Sequence, residues 1–195
     1  MFPKREEAER LLKEGEARNP GPWGSHSRTV AACAERIAAG IPGLDPEKAY
    51  VVGLLHDIGR REGVTNFAHI IDGYRFLMGL GYDEAAKICI THSFAVPDIR
   101  MHVGNMDISE EDREELIRLI REYEYDDYDR LIQLCDSIAF PGQVVDLETR
   151  MDDVERRYGS YPQEKREKNR ELKAYFEKKM GRNLYEALDC CGHAE

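Results

Sequence analysis

Apolar residues recur at three- and four-residue steps along most of the chain, and runs that alternate strictly between apolar and polar are nearly absent. That period predicts an all-α fold. A charged helix is expected over about residues 4 to 18, broken by NPGPWGS with its two prolines and two glycines. The next helix is expected near Ser25 as N-cap, with His26, Val30, Cys33 and Ile37 on one face. Asp45 followed by Pro46 supplies a cap and a first-position proline, and DPEKAYVVGLLHDIG aligns Ala49, Val52 and His56 before stopping at Gly59. His56 and Asp57 are thereby expected in a last helical turn.

A further helix, about 66 to 79, aligns His69 with Gly73, Phe76 and Leu80, and a glycine one turn after the histidine permits a close neighbour. Asp83 is expected to cap the next, in which Ala85, Ile88, Cys89 and His92 share a stripe. The stretch 93 to 107 has no clear period and reads as a long loop, of the kind that often carries function. His102 and Arg100 within it are candidates to face a ligand, set against a plain surface role. Ser109 opens a helix with acidic residues in its first turn. In the helix that follows, Leu131, Leu134, Cys135 and Ile138 form the apolar face, ended by Pro141 and Gly142. Helices over about 146 to 158 and 163 to 180 complete the pattern. In the last, Leu172, Tyr175, Phe176 and Met180 are the packing residues and the charge run reads as a solvated face.

Histidines on or beside apolar helical faces are the first chemical signal, although each alone fits a hydrogen-bonded core histidine. Asp136 is harder to explain without a partner: it sits in RLIQLCDSIAF, where an ionised carboxylate is costly unless paired or metal-bound. His56 and Asp57 offer a nitrogen and an oxygen ligand from adjacent positions at a helix end.

Composition narrows the partners. With 28 basic and 38 acidic side chains the net charge is −10, which opposes association with a long nucleic acid. A small phosphorylated substrate is compatible, because a divalent metal and an arginine reverse the field locally. The N-terminus lacks the apolar segment of a signal peptide and no apolar run reaches the roughly 20 residues of a membrane span, so a cytoplasmic protein without membrane association is expected. The five cysteines lack scaffold spacing. Cys33, Cys89 and Cys135 fit small core residues, whereas Cys190 and Cys191 share a polar tail with His193 that reads as a frayed terminus or, alternatively, a metal clip.

Taken in order, His26, His56-Asp57 in GLLHDIGR and Asp136 in LCDSIA resemble the HD superfamily of metal-dependent phosphohydrolases, over roughly residues 22 to 141. FAHIIDGYRFL and ITHS are similar to family segments that carry further histidines, which adds His69 and His92 to the implied metal-ligand set. The resemblance implies a helical bundle with metal in a central cleft, in one domain over 1–195 whose segment 142–195 is a helical extension. It implies hydrolysis of a phosphoester or phosphoanhydride in a small, nucleotide-like substrate by a metal-activated water. The His and Asp set suits Fe, Mn, Ni, Co or Zn, and two ions are expected, with Asp57 bridging. Asp57 and Arg60 are the expected catalytic residues, Arg60 as a phosphate clamp or else a cation favoured at a helix end. Tyr74 and Arg75 follow Gly73, so the GYP tripeptide of the cyclic-dinucleotide branch is absent, and the synthetase domain of alarmone-metabolising members is absent too. A di-iron oxygenase of the same fold and a non-catalytic metal- or nucleotide-binding module are the competing readings. The sequence leaves substrate identity and oligomeric state open.

Overall fold

A computed structural model describes residues 1–188; Cys190, Cys191 and His193 lie outside the described residues. The fold is all-α, with ten helices among the described residues: α1 (Arg5–Arg18), α2 (Trp23–Ala39), α3 (Pro46–Leu55), α4 (Ala68–Gly79), α5 (Asp83–Thr91), α6 (Glu110–Glu122), α7 (Asp127–Asp136), α8 (Leu147–Tyr158), α9 (Gln163–Met180) and α10 (Leu184–Leu188). Short 3-10 turns span Ile58–Glu62 and Ile99–Met101. No described helix is long and apolar enough to cross a membrane.

Several helix starts follow from side chains that accept the first free N–H groups. Asp45 accepts from the Glu47 amide at 2.9 Å, Ser109 from that of Asp112 at 3.1 Å, and Asp146 from those of Glu148 and Thr149. Asp126 and Asp129 form a reciprocal capping box at α7. The second helix departs from expectation: it starts at Trp23, not after Ser25, with Pro22 preceding it in a helical conformation. Tertiary packing sets that start, because Trp23 is buried against Gly15 of α1. The segment after α7 also differs from a plain helix end. Ala139–Phe140 and Gln143–Val144 pair as a two-stranded antiparallel hairpin around Pro141–Gly142, where Gly142 takes φ 76°.

Two apolar clusters flank the site. The larger draws Leu12, Val30, Ile37, Leu54, Leu131, Leu134, Phe176 and Leu184 from elements between α1 and α10, and includes Cys33, Cys89 and Cys135. The smaller joins α4, α5 and α6 through Phe67, Ile70, Ile71, Ile90, Phe94 and Leu116. Asp107 ties the loop 93–107 to this second cluster: its carboxylate accepts from the amides of Asn66, Phe67 and Ala68 at 2.7, 2.6 and 3.0 Å and so caps α4 from a distance in sequence.

Candidate metal centre

The HD dipeptide works because the helix breaks inside it. His56 is the last residue with helical geometry after α3, and at Asp57 the chain turns to φ −105°, ψ 14° before tightening into the 3-10 turn. Adjacent residues on an unbroken helix point about 100° apart; the turn brings His56 Nε2 to 3.9 Å from Asp57 Oδ2. Gly59 then lets α4 lie directly on the turn. A Cβ there would stand 1.9 Å from the His69 carbonyl oxygen and 2.4 Å from the Gly73 nitrogen. This contact places His69 Nε2 3.1 Å from Asp57 Oδ1.

The remaining ligand candidates arrive from helix ends on the other side. His92 follows the last residue of α5, with Nε2 3.7 Å from Asp57 Oδ1. A buried polar network fixes that end: Asp129 accepts from Thr91 Oγ1 at 2.7 Å and from Lys87 Nζ at 2.6 Å, and Gln133 Nε2 donates to the Thr91 carbonyl at 2.9 Å. Asp136, the last residue of α7, has Oδ1 2.9 Å from His26 Nε2 and 3.9 Å from His56 Nε2. His26 itself projects from the first turn of α2. Five of the six side chains named from the sequence line one cleft, and the sixth, His56, is fully buried behind them with Nε2 3.9 Å from both Asp57 Oδ2 and Asp136 Oδ1.

Two groups have ligand atoms within 4.8 Å of one another: His26, His56 and Asp57, and Asp57, His69 and His92. Asp57 belongs to both. The donor set fits a metal on independent grounds. His56 Nδ1 donates to the Gly53 carbonyl at 2.7 Å, which leaves Nε2 as a bare lone pair, and that atom is buried without a hydrogen-bond partner. His92 repeats the device with Nδ1 3.2 Å from the Ile88 carbonyl.

Burial pushes the histidines toward the neutral, ligating form: His56 is lowered, and His69 and His92 are driven to about 4, helped by Arg60 and by His56 respectively. For Asp57 burial acts upward, but the Arg60 guanidinium and the histidines overcome it and hold the carboxyl well below its usual range. His26 does the same for Asp136 against burial. Both acids are therefore carboxylates.

Arg60 donates from Nε to Asp57 Oδ2 at 2.5 Å and from Nη1 to the Thr65 carbonyl at 3.2 Å, while its side chain stays 30% exposed to the cleft. The cleft has a volume of about 490 Å³ and is walled on its far side by residues of the hairpin, α8 and α9. His102 lines it, its ring 4.1 Å from that of Phe67, and burial followed by the Lys165 charge drives it to about 3. Arg100 does not line it: 81% of its side chain is exposed and it is paired with Asp98.

The sequence reading missed Lys165, Arg150 and Tyr161, which line the cleft from α8, α9 and the segment between them. Lys165 sits in a run of charged residues, and nothing in the local pattern separates it from its solvated neighbours. Gln133 and Asp129 left a fainter signal as polar residues on the apolar face of α7.

A family model described as HD domain matches residues 23–140, more than half of the chain and every one of the six candidate ligands. Neither the curated proteins nor the solved structures contain a match. On that match, and on a cleft where a helix-breaking His-Asp pair meets three further histidines and a distant aspartate, the chain belongs to the HD domain family, within a superfamily of metal-dependent hydrolases.

Proposed function

We propose that the chain is a phosphohydrolase cleaving a phosphoester or phosphoanhydride of a small nucleotide-like substrate, with two divalent transition-metal ions held by the two triads that share Asp57. The observation that carries the reading is that shared carboxylate, opening on a cleft large enough for a small ligand. His26, His56 and Asp136 would hold one ion and His69 and His92 the other, with Asp57 serving both. When bound, such ions acidify water and offset charge on phosphoryl oxygens. The chain's own groups do the rest. Neutral His56, His69 and His92 leave lone pairs for the metals, and Asp57 and Asp136 supply the negative charge. Arg60 keeps Nε on Asp57 and Nη1 on the Thr65 carbonyl, with Nη2 3.4 Å from His69 Nε2, and its remaining N–H groups at the cleft would suit a phosphate.

The test is phosphate release from a nucleotide panel by protein stripped with chelator and reloaded with Mn, Fe, Co, Ni or Zn separately. Release that depends on reloading is expected. Full metal occupancy with no release from any member would overturn the assignment; oxygen consumption instead would favour the oxygenase, and tight nucleotide binding without turnover the binding module. Anomalous scattering from loaded crystals counts the ions, and a single peak with His69 and His92 turned away would end the two-ion reading.

A further inference from the structure

We propose that Lys165 and Arg150 form a second anion subsite, so that the substrate carries, besides the group held at the metals, another phosphate displaced toward α8 and α9. This rests on the phosphohydrolase reading and adds the class of substrate. Both residues lie beyond the segment matched by the family model.

The cleft's charge distribution is the first argument. Among the described residues its only acidic lining residues are Asp57 and Asp136, the two carboxylates assigned to metal, whereas Arg60, Arg150, Arg157 and Lys165 all face it. In a chain with net charge −10, four cations around one cavity are a local inversion of sign. Lys165 and Arg150 also lack a hydrogen-bonded carboxylate. Lys165 Nζ donates to the Ser93 carbonyl at 3.2 Å, and no described carboxylate pairs with it. Arg150 is 17% exposed, and its Nε and Nη1 are buried without a hydrogen-bond partner; an Asp153 oxygen 3.6 Å from Nη1 forms an ion pair with it but no hydrogen bond. The guanidinium lies over the Phe140 ring at 4.9 Å, which orients its plane.

Burial lowers the Lys165 ammonium to about 8, with the Asp136 carboxylate acting against that shift and the Arg150 charge adding to it. Two cations gathered in a partly buried wall destabilise the fold unless an anion comes between them. Arg157 bonds Asp153 at 2.9 Å and is left outside the subsite. Beside it, Tyr161 accepts from Asn169 Nδ2 at 2.7 Å, which leaves the phenol hydrogen free to donate to an oxygen in the cleft. A phosphate matches this set of donors: a forked guanidinium, an ammonium and a hydroxyl.

The experiment measures calorimetric binding of methylphosphonate and of α,ω-alkane diphosphonates of increasing length to the Mn-loaded full chain. One diphosphonate length is expected to bind at least about tenfold tighter than methylphosphonate. Lys165→Met and Arg150→Met should each cut that ratio by about tenfold, with Lys165→Arg and Arg150→Lys recovering much of it. Metal content and circular dichroism identify variants that misfold, for which the charge-conserving variants carry the comparison. A ratio near one at every length overturns the subsite. So does an equal loss of methylphosphonate and diphosphonate affinity in the variants, which would place both cations on the scissile phosphate. If the ratio behaves as expected while no phosphoester is turned over, the subsite stands and the phosphohydrolase reading falls.

Discussion

Replacing Gly59 with alanine should dismantle the metal centre without touching any ligand. The new methyl carbon would lie 1.9 Å from the His69 carbonyl oxygen, 2.4 Å from the Gly73 nitrogen and 2.8 Å from the His69 carbonyl carbon. Ordinary contacts begin near 3.4 Å, so α4 and the 3-10 turn must separate by about 1.5 Å, and the obstacle is backbone that cannot rotate away. Overpacking of this kind costs about 3 kcal/mol or more. At roughly 2–4 °C per kcal/mol for a chain of this size, the melting temperature should fall by about 6–12 °C. The same movement carries His69 away from Asp57, now 3.1 Å apart, so bound metal should fall in parallel. Gly73→Ala is the internal control. Its methyl would meet the Gly59 nitrogen at 3.0 Å and the Cys89 sulfur at 3.1 Å, a tightness that small shifts relieve. Differential scanning calorimetry and elemental analysis of both variants make the comparison. A Gly59→Ala protein with wild-type melting and metal content would refute the account of how α4 is seated.

His56→Ala and Asp57→Ala should each lose metal and turnover while keeping most helicity, since the apolar clusters are untouched; unchanged metal content in either would remove that residue from the ligand set. Arg60→Ala should lower kcat/KM by about ten- to a hundredfold with metal retained, and wild-type kinetics would confine Arg60 to its bond with Asp57. For metal-stripped protein, His69 and His92 titrate near 4 when folded against 6.5 when unfolded, so the unfolded chain binds more protons below pH 6.5. Their contribution is intact above about pH 6.5 and is lost as pH falls toward 4, by an amount on the order of 3 kcal/mol each. Thermal melts across that window should show a steep decline, and a flat profile would show that the two rings are not buried neutral.

The candidate histidines stood out because each begins or ends an apolar helical stripe, and Asp136 because a carboxylate amid RLIQLC demands a partner. The caps at Asp45 and Ser109 were legible for the same local reason, as an acceptor placed before a helical period. What escaped depends on partners distant in sequence. The start of α2 is fixed by Trp23 meeting Gly15, the cap of α4 by Asp107, and the end of α5 by Asp129 and Gln133. Lys165 is the clearest case: its neighbours Arg166 and Lys168 pair with acids on the surface, and only the approach of α9 to the cleft distinguishes it.

The helix break at Asp57 has a consequence for how the two triads fill. One carboxylate serves both, with Oδ2 nearest His56 and Oδ1 nearest His69 and His92. Were both triads to hold ions as proposed, its charge would be a shared resource: the first ion would draw on the electron density that the second would use, while also fixing the ring and carboxylate orientations that the second requires. Loading would then be a contest between electrostatic anticooperativity and geometric preorganisation. Its sign is a property of this single side chain, and the stepwise titration curve of the stripped protein would display it directly.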